Sequence, residues 1–82
     1  MFYIYILYSI SHDRYYIGQT NNLVSRIRRH NKGYVKSTKT YLPWEIVYSE
    51  EFTTRAEAVR RETYLKSLKS KIKIKELVDA SR

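Results

Sequence analysis

The segment Tyr16–Asn31, with the sequence YIGQTNNLVSRIRRHN, constrains the fold more than any other part of the chain. Its first residues continue an aromatic and β-branched run, a composition that favours a strand. Gly18 interrupts this run, and Asn21 or Asn22 can cap a helix because the side-chain oxygen accepts a backbone N–H bond. An apolar stripe at helical spacing follows: Leu23, Val24 and Ile27. The segment therefore predicts a strand, a polar turn and a helix.

The predicted helix is basic, and its cationic side chains differ in direction. Arg26 and His30 are four residues apart, so they lie on one edge of the apolar stripe, whereas Arg29 points to solvent. The strand before the turn delivers Tyr16 to the same corner. A tyrosine beside an arginine and a histidine predicts a corner that handles phosphate.

Two strands at the start of the chain should form a hairpin. Phe2–Tyr8 is aromatic and β-branched without a breaker, and a polar loop, 9–14, separates it from a second strand, Tyr15–Gln19. The buried face of the hairpin should hold three isoleucines: Ile4, Ile6 and Ile17. That face requires even positions to pair with odd ones. Tyr5 and Tyr16 are then predicted to lie together on the opposite face.

The connection after the helix, 32–43, is polar and basic. Gly33 is predicted to stop the helix, because glycine readily adopts the left-handed conformation found at helix C-termini. The cations near the helix end that could contact phosphates are Arg28, Arg29, Lys36 and Lys39. For any single lysine here, a solvated connection is the better explanation.

The second half of the chain begins with a third predicted strand. Trp44–Ser49 alternates well enough for a strand, which Glu50 and Glu51 should close. Thr54 and Glu57 have the spacing of a capping box, which predicts the start of a long helix.

The end of the chain favours a last helix capped by Ser70. Its inward residues would be Ile74, Leu77 and Val78. A strand is the alternative, because Ile72 and Ile74 alternate with lysines. The lysines here and just before, Lys66 and Lys69 among them, form either a solvated face or contacts to phosphates.

Glu62 is an anomaly in the apolar stripe of the long helix. It lies four residues after Ala58, three after Val59 and three before Leu65, so the stripe contains a carboxylate. Burying a carboxylate is unfavourable unless it is paired or bound to a metal. A metal ligand and an ion pair with a neighbouring arginine are about equally good explanations.

Composition limits the partners and the kinds of site. The net charge of +8 and the pI of about 9.8 favour a polyanionic partner, most often nucleic acid. With no cysteine and two histidines, a disulfide framework and a Cys/His zinc site are excluded. The apolar run 2–10 is too short to span a bilayer, and no basic segment precedes it. We therefore expect one domain, residues 1–82, in the cytoplasm and away from membranes.

These features together resemble the GIY-YIG nuclease domain. Tyr3-Ile4-Tyr5 stands where that family has Gly-Ile-Tyr, and Tyr16-Ile17-Gly18 is the second signature triplet in full. Arg26 follows at the family's spacing, with His30 one turn later. Glu62 matches the family's acidic position on the helix after the third strand. The resemblance covers essentially the whole chain.

The resemblance implies an α/β fold of the α+β type, with a three-stranded antiparallel sheet flanked by helices. It also implies a metal-dependent endonuclease that hydrolyses phosphodiester bonds in double-stranded or branched DNA. The resemblance is also compatible with a structure-selective role in DNA repair or recombination and with a protein partner that supplies targeting. The implied cofactor is one Mg²⁺ or Mn²⁺ ion.

The resemblance assigns roles to five positions. Glu62 would hold the metal and Arg26 would contact the scissile phosphate. Tyr5, assisted by His30, would activate water, and Tyr16 would orient water or phosphate. Because a free tyrosine has a pKa of about 10, the charges of Arg26 and the metal are expected to lower the pKa of Tyr5. Without these roles, Tyr5 and Tyr16 would be a cross-strand aromatic pair.

The chain also departs from the family pattern. Tyr3 replaces the first glycine of the signature, and the late asparagine found in many members is absent, since no asparagine follows Asn31. A non-catalytic, basic nucleic-acid-binding module on the same fold is therefore the competing hypothesis. A basic protein-interaction domain is a third, but it leaves Glu62 and the tyrosine pair unexplained.

Overall fold

The computed structural model describes residues 1–81, which form a three-stranded antiparallel sheet and three α-helices. In chain order, the elements are β1 (Phe2–Ser9), β2 (Arg14–Thr20), α1 (Leu23–Asn31), a short 3-10 helix (Lys39–Tyr41), β3 (Glu45–Phe52), α2 (Arg55–Ser67) and α3 (Lys71–Ala80). The strand order β2-β1-β3 places β1 in the centre of the sheet. The predicted fold class is confirmed.

The register of the hairpin has the predicted parity. Ile6 pairs with Ile17 and Tyr5 pairs with Gly18, so each pair joins an even and an odd position. The rings of Tyr5 and Tyr16 lie on the same face, with their centroids 6.4 Å apart. Alternation along the strands was therefore sufficient to place these two side chains together.

Both faces of β1 are buried, whereas the hairpin pattern predicts only one buried face. Helices α2 and α3 cover the first face, where the core consists of Ile4, Ile6, Ala58, Leu65, Ile74 and Val78. The second face has its own core of Tyr5, Leu7 and Trp44. It is covered because α1 and the end of the connection after it pack across the sheet.

Helix α1 begins and ends at the predicted residues. The side chain of Asn22 accepts a backbone N–H bond of the first turn at 3.0 Å, and Gly33 follows the helix with a φ of +77°. Leu23 and Ile27 pack against the second face. Val24 was predicted to join them, but it is 69% exposed. The helix presents the i and i+4 positions to the sheet, and Val24 is rotated away from both.

Strand β3 is longer than predicted. It reaches Phe52, which pairs with Phe2, so Glu50 and Glu51 lie inside the strand and do not close it. Their charge is compatible with this position because β3 is an edge strand.

The two later helices form as predicted. Thr54 and Glu57 make the reciprocal capping box of α2. Ser70 caps α3, which confirms a helix over the strand alternative. Ile72, which produced the strand-like alternation, is 71% exposed. Val59, predicted to be inward, is 39% exposed. Within residues 1–81, no helix is long and apolar enough to cross a membrane.

Candidate active site

Tyr5 lies in the middle of the second face, directly opposite Gly18. A Cβ atom on Gly18 would lie 2.5 Å from the Tyr5 hydroxyl oxygen and 2.6 Å from its Cζ. Side chains do not approach each other this closely, so the phenol ring occupies space that only glycine leaves open. The glycine of the second signature triplet therefore positions the tyrosine of the first.

Three aromatic rings meet at this point of the sheet. The Tyr5 hydroxyl oxygen lies 3.0 Å from Nε2 of His30, at hydrogen-bonding distance. The ring of Tyr16 completes the group, with its centroid 5.0 Å from that of His30. Tyr5 and His30 are fully buried, whereas Tyr16 is partly exposed. The strand hairpin and α1 thus bring together the three predicted side chains.

Thr38 is part of the same group, although no sequence pattern predicts it. Its hydroxyl oxygen lies 2.8 Å from Nδ1 of His30, and the side chain is buried. A threonine in a polar connection carries no pattern that predicts burial. Trp44 holds the segment inward, since its indole N–H donates to the Thr38 carbonyl at 2.8 Å. The lysines of this connection, Lys36 and Lys39, are exposed, whereas Thr38 between them is buried.

The protonation states in this group follow from burial. Burial raises the pKa of Tyr5 above its ordinary value, the neighbouring Tyr16 adds to this, and Arg26 opposes it. The predicted lowering of the Tyr5 pKa by Arg26 is thus outweighed by burial in the protein alone. Burial, together with Arg26 and Arg29, lowers the pKa of His30. At neutral pH the pair consists of a phenol and a neutral imidazole.

Arg26 on α1 and Glu62 on α2 both lie close enough to affect this group. Both are partly exposed, and both act electrostatically on Tyr5, Arg26 lowering its pKa and Glu62 raising it. The Glu62 side chain is 19% exposed, and its Oε2 lies 3.3 Å from Nζ of Lys66. The ion pair weighed for Glu62 therefore exists, but with a lysine, because the adjacent Arg61 pairs with Glu50.

The donor set at Glu62 suits a divalent cation that keeps most of its water ligands. The part of the chain that the structure describes contains no group of three or more His, Asp or Glu side chains that could hold an ion. A single carboxylate does not make a zinc site. It suits Mg²⁺, which keeps several water ligands and shares its shell with substrate phosphate.

The predicted phosphate-binding cations lie in two separate places. Arg28 and Arg29 are exposed in the last turn of α1, and Lys36 and Lys39 are exposed in the connection that follows. Lys66 and Lys69 instead line a cleft of about 620 Å³ between β2 and the α2–α3 junction. Tyr16, whose ring belongs to the buried group, is also among the residues that line this cleft. None of the four cations of α1 and the connection lines this cleft.

The sequence of this chain matches the model of a known protein family. The model of the GIY-YIG catalytic domain matches residues 1–75, which include both triplets, Arg26, His30 and Glu62. The chain belongs to the GIY-YIG family. The match spans the buried Tyr5, the facing Gly18 and the partly exposed Glu62.

The sequences of relatives within the GIY-YIG family match most of the length of this chain. The UPF0213 protein YazA of Bacillus subtilis is 40% identical over 62 residues, which are 74% of this chain and 63% of that protein. A UPF0213 protein of Staphylococcus haemolyticus is 39% identical over 74 residues, 89% of each chain. The solution NMR structure of a UPF0213 protein of Bacillus halodurans is 33% identical and superposes with a TM-score of 0.60. That match covers 98% of this chain and 85% of the other.

Proposed function

We propose that this GIY-YIG protein is a divalent-metal-dependent endonuclease that hydrolyses phosphodiester bonds in DNA. The observation that carries the proposal is the buried hydrogen bond between Tyr5 and His30, beside an arginine and a carboxylate. An aromatic pair that served the sheet alone would need neither the facing Gly18 nor a buried histidine.

Each residue of the group has a role that its surroundings support. Tyr5 accepts a proton from the attacking water while its own hydroxyl proton passes to Nε2 of the neutral His30. Arg26 neutralises negative charge on the scissile phosphate, and Tyr16, at the mouth of the cleft, orients water or phosphate. Glu62 would hold the Mg²⁺ or Mn²⁺ ion, which supplies charge stabilisation for the leaving oxygen.

The proposed substrate is DNA, either double-stranded or branched. The net charge of +8 supports a polyanionic substrate. The cleft that contains Lys66 and Lys69 gives one DNA strand a basic path away from Tyr16. The cations of α1 do not line this cleft, and they are available to contact a second strand. Two separate basic tracks support a preference for branched DNA, as in repair or recombination. The place of action would be the compartment that holds the DNA, which is the cytoplasm in the bacterial relatives, and a protein partner would supply targeting.

The burial of Tyr5 favours a second candidate function. This residue is only 1% exposed, so a water molecule can reach its hydroxyl only if neighbouring side chains make room. A protein that binds nucleic acid without cutting it would keep the same fold, the same charge and the same buried pair. The two functions differ in turnover, and not in affinity.

Cleavage assays separate these candidates. Purified protein is incubated with supercoiled DNA, branched DNA and duplex RNA, each with and without Mg²⁺. The nuclease predicts metal-dependent cutting of DNA that is lost in Glu62→Ala and retained in Glu76→Ala, a control at an exposed glutamate of α3. Retarded migration of DNA without cutting under every condition would support the binder. Cutting that is unchanged in Glu62→Ala would reject the assignment of the metal ligand.

A further inference from the structure

The hydroxyl of Thr38 lies between two hydrogen-bonding groups, the imidazole of His30 and the carbonyl of Val35. Its oxygen lies 2.8 Å from Nδ1 of His30 and 3.3 Å from the Val35 carbonyl oxygen. Thr38 itself is 1% exposed, so solvent does not compete for these bonds. The hydrogen-bonding direction at Thr38 therefore depends on the neighbours alone.

Two proton arrangements are conceivable for a neutral His30, and they differ in whether every proton finds an acceptor. If Nε2 carried the proton, it would donate to the Tyr5 hydroxyl oxygen. The proton of that hydroxyl would then lack an acceptor, because among residues 1–81 Tyr5 has no other hydrogen-bond partner. A buried donor without an acceptor costs about 1–3 kcal/mol.

If Nδ1 carries the proton, all three protons are accommodated. Tyr5 donates its hydroxyl proton to Nε2 of His30, Nδ1–H donates to the Thr38 oxygen, and Thr38 donates to the Val35 carbonyl. The bond made by one imidazole nitrogen sets the protonation of the other.

We propose that Thr38 is a positioning residue, whose hydroxyl accepts the Nδ1–H of His30 and so keeps Nε2 free to receive the proton of Tyr5. The proposal deepens the proposed nuclease function and rests on it for its catalytic consequence. When water transfers a proton to the Tyr5 oxygen, the original Tyr5 proton moves to Nε2. The resulting imidazolium keeps its Nδ1–H bond to Thr38, so no further proton has to move.

The fold holds Thr38 in place through Trp44. The indole N–H of Trp44 donates to the Thr38 carbonyl at 2.8 Å. The side chain of Asn31 in turn bonds both backbone groups of Trp44, accepting from its N–H at 2.7 Å and donating to its carbonyl at 3.0 Å. The end of α1 is thereby tied to the start of β3, and the intervening segment presents Thr38 to His30.

The test uses three variants and a readout that does not depend on activity. Thr38→Val removes the hydroxyl and keeps the shape, Thr38→Ser keeps the hydroxyl, and Thr40→Val is a matched control at an exposed threonine of the same segment. Imidazole ¹⁵N NMR distinguishes a protonated from an unprotonated ring nitrogen. The signals of His12 are assigned by their absence in His12→Gln.

In the wild-type protein, Nδ1 of His30 should be protonated and Nε2 unprotonated. In Thr38→Val either arrangement leaves one buried donor without an acceptor, Nδ1–H or the Tyr5 hydroxyl, so the proton should be distributed over both nitrogens, whereas Thr38→Ser and Thr40→Val should leave it on Nδ1. Cleavage should fall about 10- to 100-fold in Thr38→Val, the range known for groups that orient a metal-ligating histidine by a hydrogen bond, and recover in Thr38→Ser.

Several outcomes would overturn the proposal. A proton on Nε2 in the wild-type protein would do so even if Thr38→Val failed to fold. An unchanged proton position in a folded Thr38→Val protein would also do so, whatever the change in cleavage, because the threonine would then be structural. If the wild-type protein cuts nothing, the nuclease proposal fails by itself, and the NMR measurement still decides the proton position.

Discussion

The phenol ring of Tyr5 lies against the backbone of Gly18 on the neighbouring strand, where a Cβ atom would be 2.5 Å from its hydroxyl oxygen. The two signature triplets are therefore linked physically: the last residue of one leaves the space that the last residue of the other fills. The hydrogen bond between Tyr5 and His30 depends on the space left by Gly18, because that space fixes the position of the Tyr5 hydroxyl.

Gly18→Ala should displace Tyr5 and break its bond to His30. Overpacking of this kind typically costs about 1–3 kcal/mol of stability, and cleavage should be lost because the hydroxyl moves. Gly33→Ala is the matched control. At Gly33 alanine is unfavourable for another reason, the φ of +77°. The nearest atom to a Cβ there is Cδ1 of Leu42, at 3.8 Å, so alanine causes no steric clash. Gly33→Ala should lose stability in urea unfolding but retain cleavage per folded molecule; equal loss of cleavage in both would contradict the link.

Tyr5→Phe keeps the ring and removes the hydroxyl. It should abolish cleavage while DNA affinity, measured by fluorescence anisotropy, stays nearly unchanged, because a buried hydroxyl makes no contact with a bound duplex. Leaving Nε2 of His30 without its donor should lower the stability by about 1–2 kcal/mol. Tyr34→Phe, at an exposed tyrosine, should change nothing. Normal cutting by Tyr5→Phe would show that Tyr5 is not the base.

Arg26 and Arg29 lie on the same helix but should behave differently. Arg26 lowers the pKa of both Tyr5 and His30, whereas the exposed Arg29 has a smaller effect on the pKa of His30. Arg26→Ala should lower the single-turnover cleavage rate by about a hundredfold or more, the scale for losing one transition-state contact. Arg29→Ala should chiefly raise the Kd for DNA. Equal effects on rate would remove the distinction between the two arginines.

Binding should depend strongly on salt, because the chain carries sixteen Lys and Arg residues against eight Asp and Glu. With about five phosphate contacts, the slope of log affinity against log salt should be about −4 to −5. Lys69→Ala, in the cleft, should make this slope shallower by about 0.9. Lys73→Ala, an exposed lysine of α3 that does not line the cleft, should leave it unchanged. An affinity that does not vary with salt would exclude phosphate-dominated binding.

Stability should decrease as the pH falls below neutral, because of His30. Its pKa in the folded protein is held below the ordinary value of 6.5, mainly by burial. Below that value the unfolded chain binds a proton that the folded protein excludes, so the free energy of unfolding falls as the pH drops through the lower folded pKa. Urea unfolding from neutral pH to about pH 5 measures this slope above the range where carboxylates titrate. His30→Gln should remove it, and His12→Gln should not.

Local patterns determined much of this protein. The alternation of Ile4, Ile6 and Ile17 was sufficient for the hairpin parity, and therefore for placing Tyr5 beside Tyr16. The caps at Asn22, Thr54 and Ser70 could be predicted because each side chain bonds a backbone group within three residues. Arg26 and His30 followed from helical spacing. All these interactions span a few residues or one strand pair, and sequence patterns report them directly.

Only the tertiary structure decided the rest, because it depends on segments that are distant in the chain. Val24 and Val59 are exposed since packing against the sheet, and not hydrophobicity, sets how each helix is rotated. The pKa of Tyr5 is raised because the segment that ends at Trp44 covers a face that the hairpin alone would leave open. Thr38 reaches His30 only through that segment. A polar residue in a polar connection has no periodicity, so its burial can be recognised only once the chain has folded.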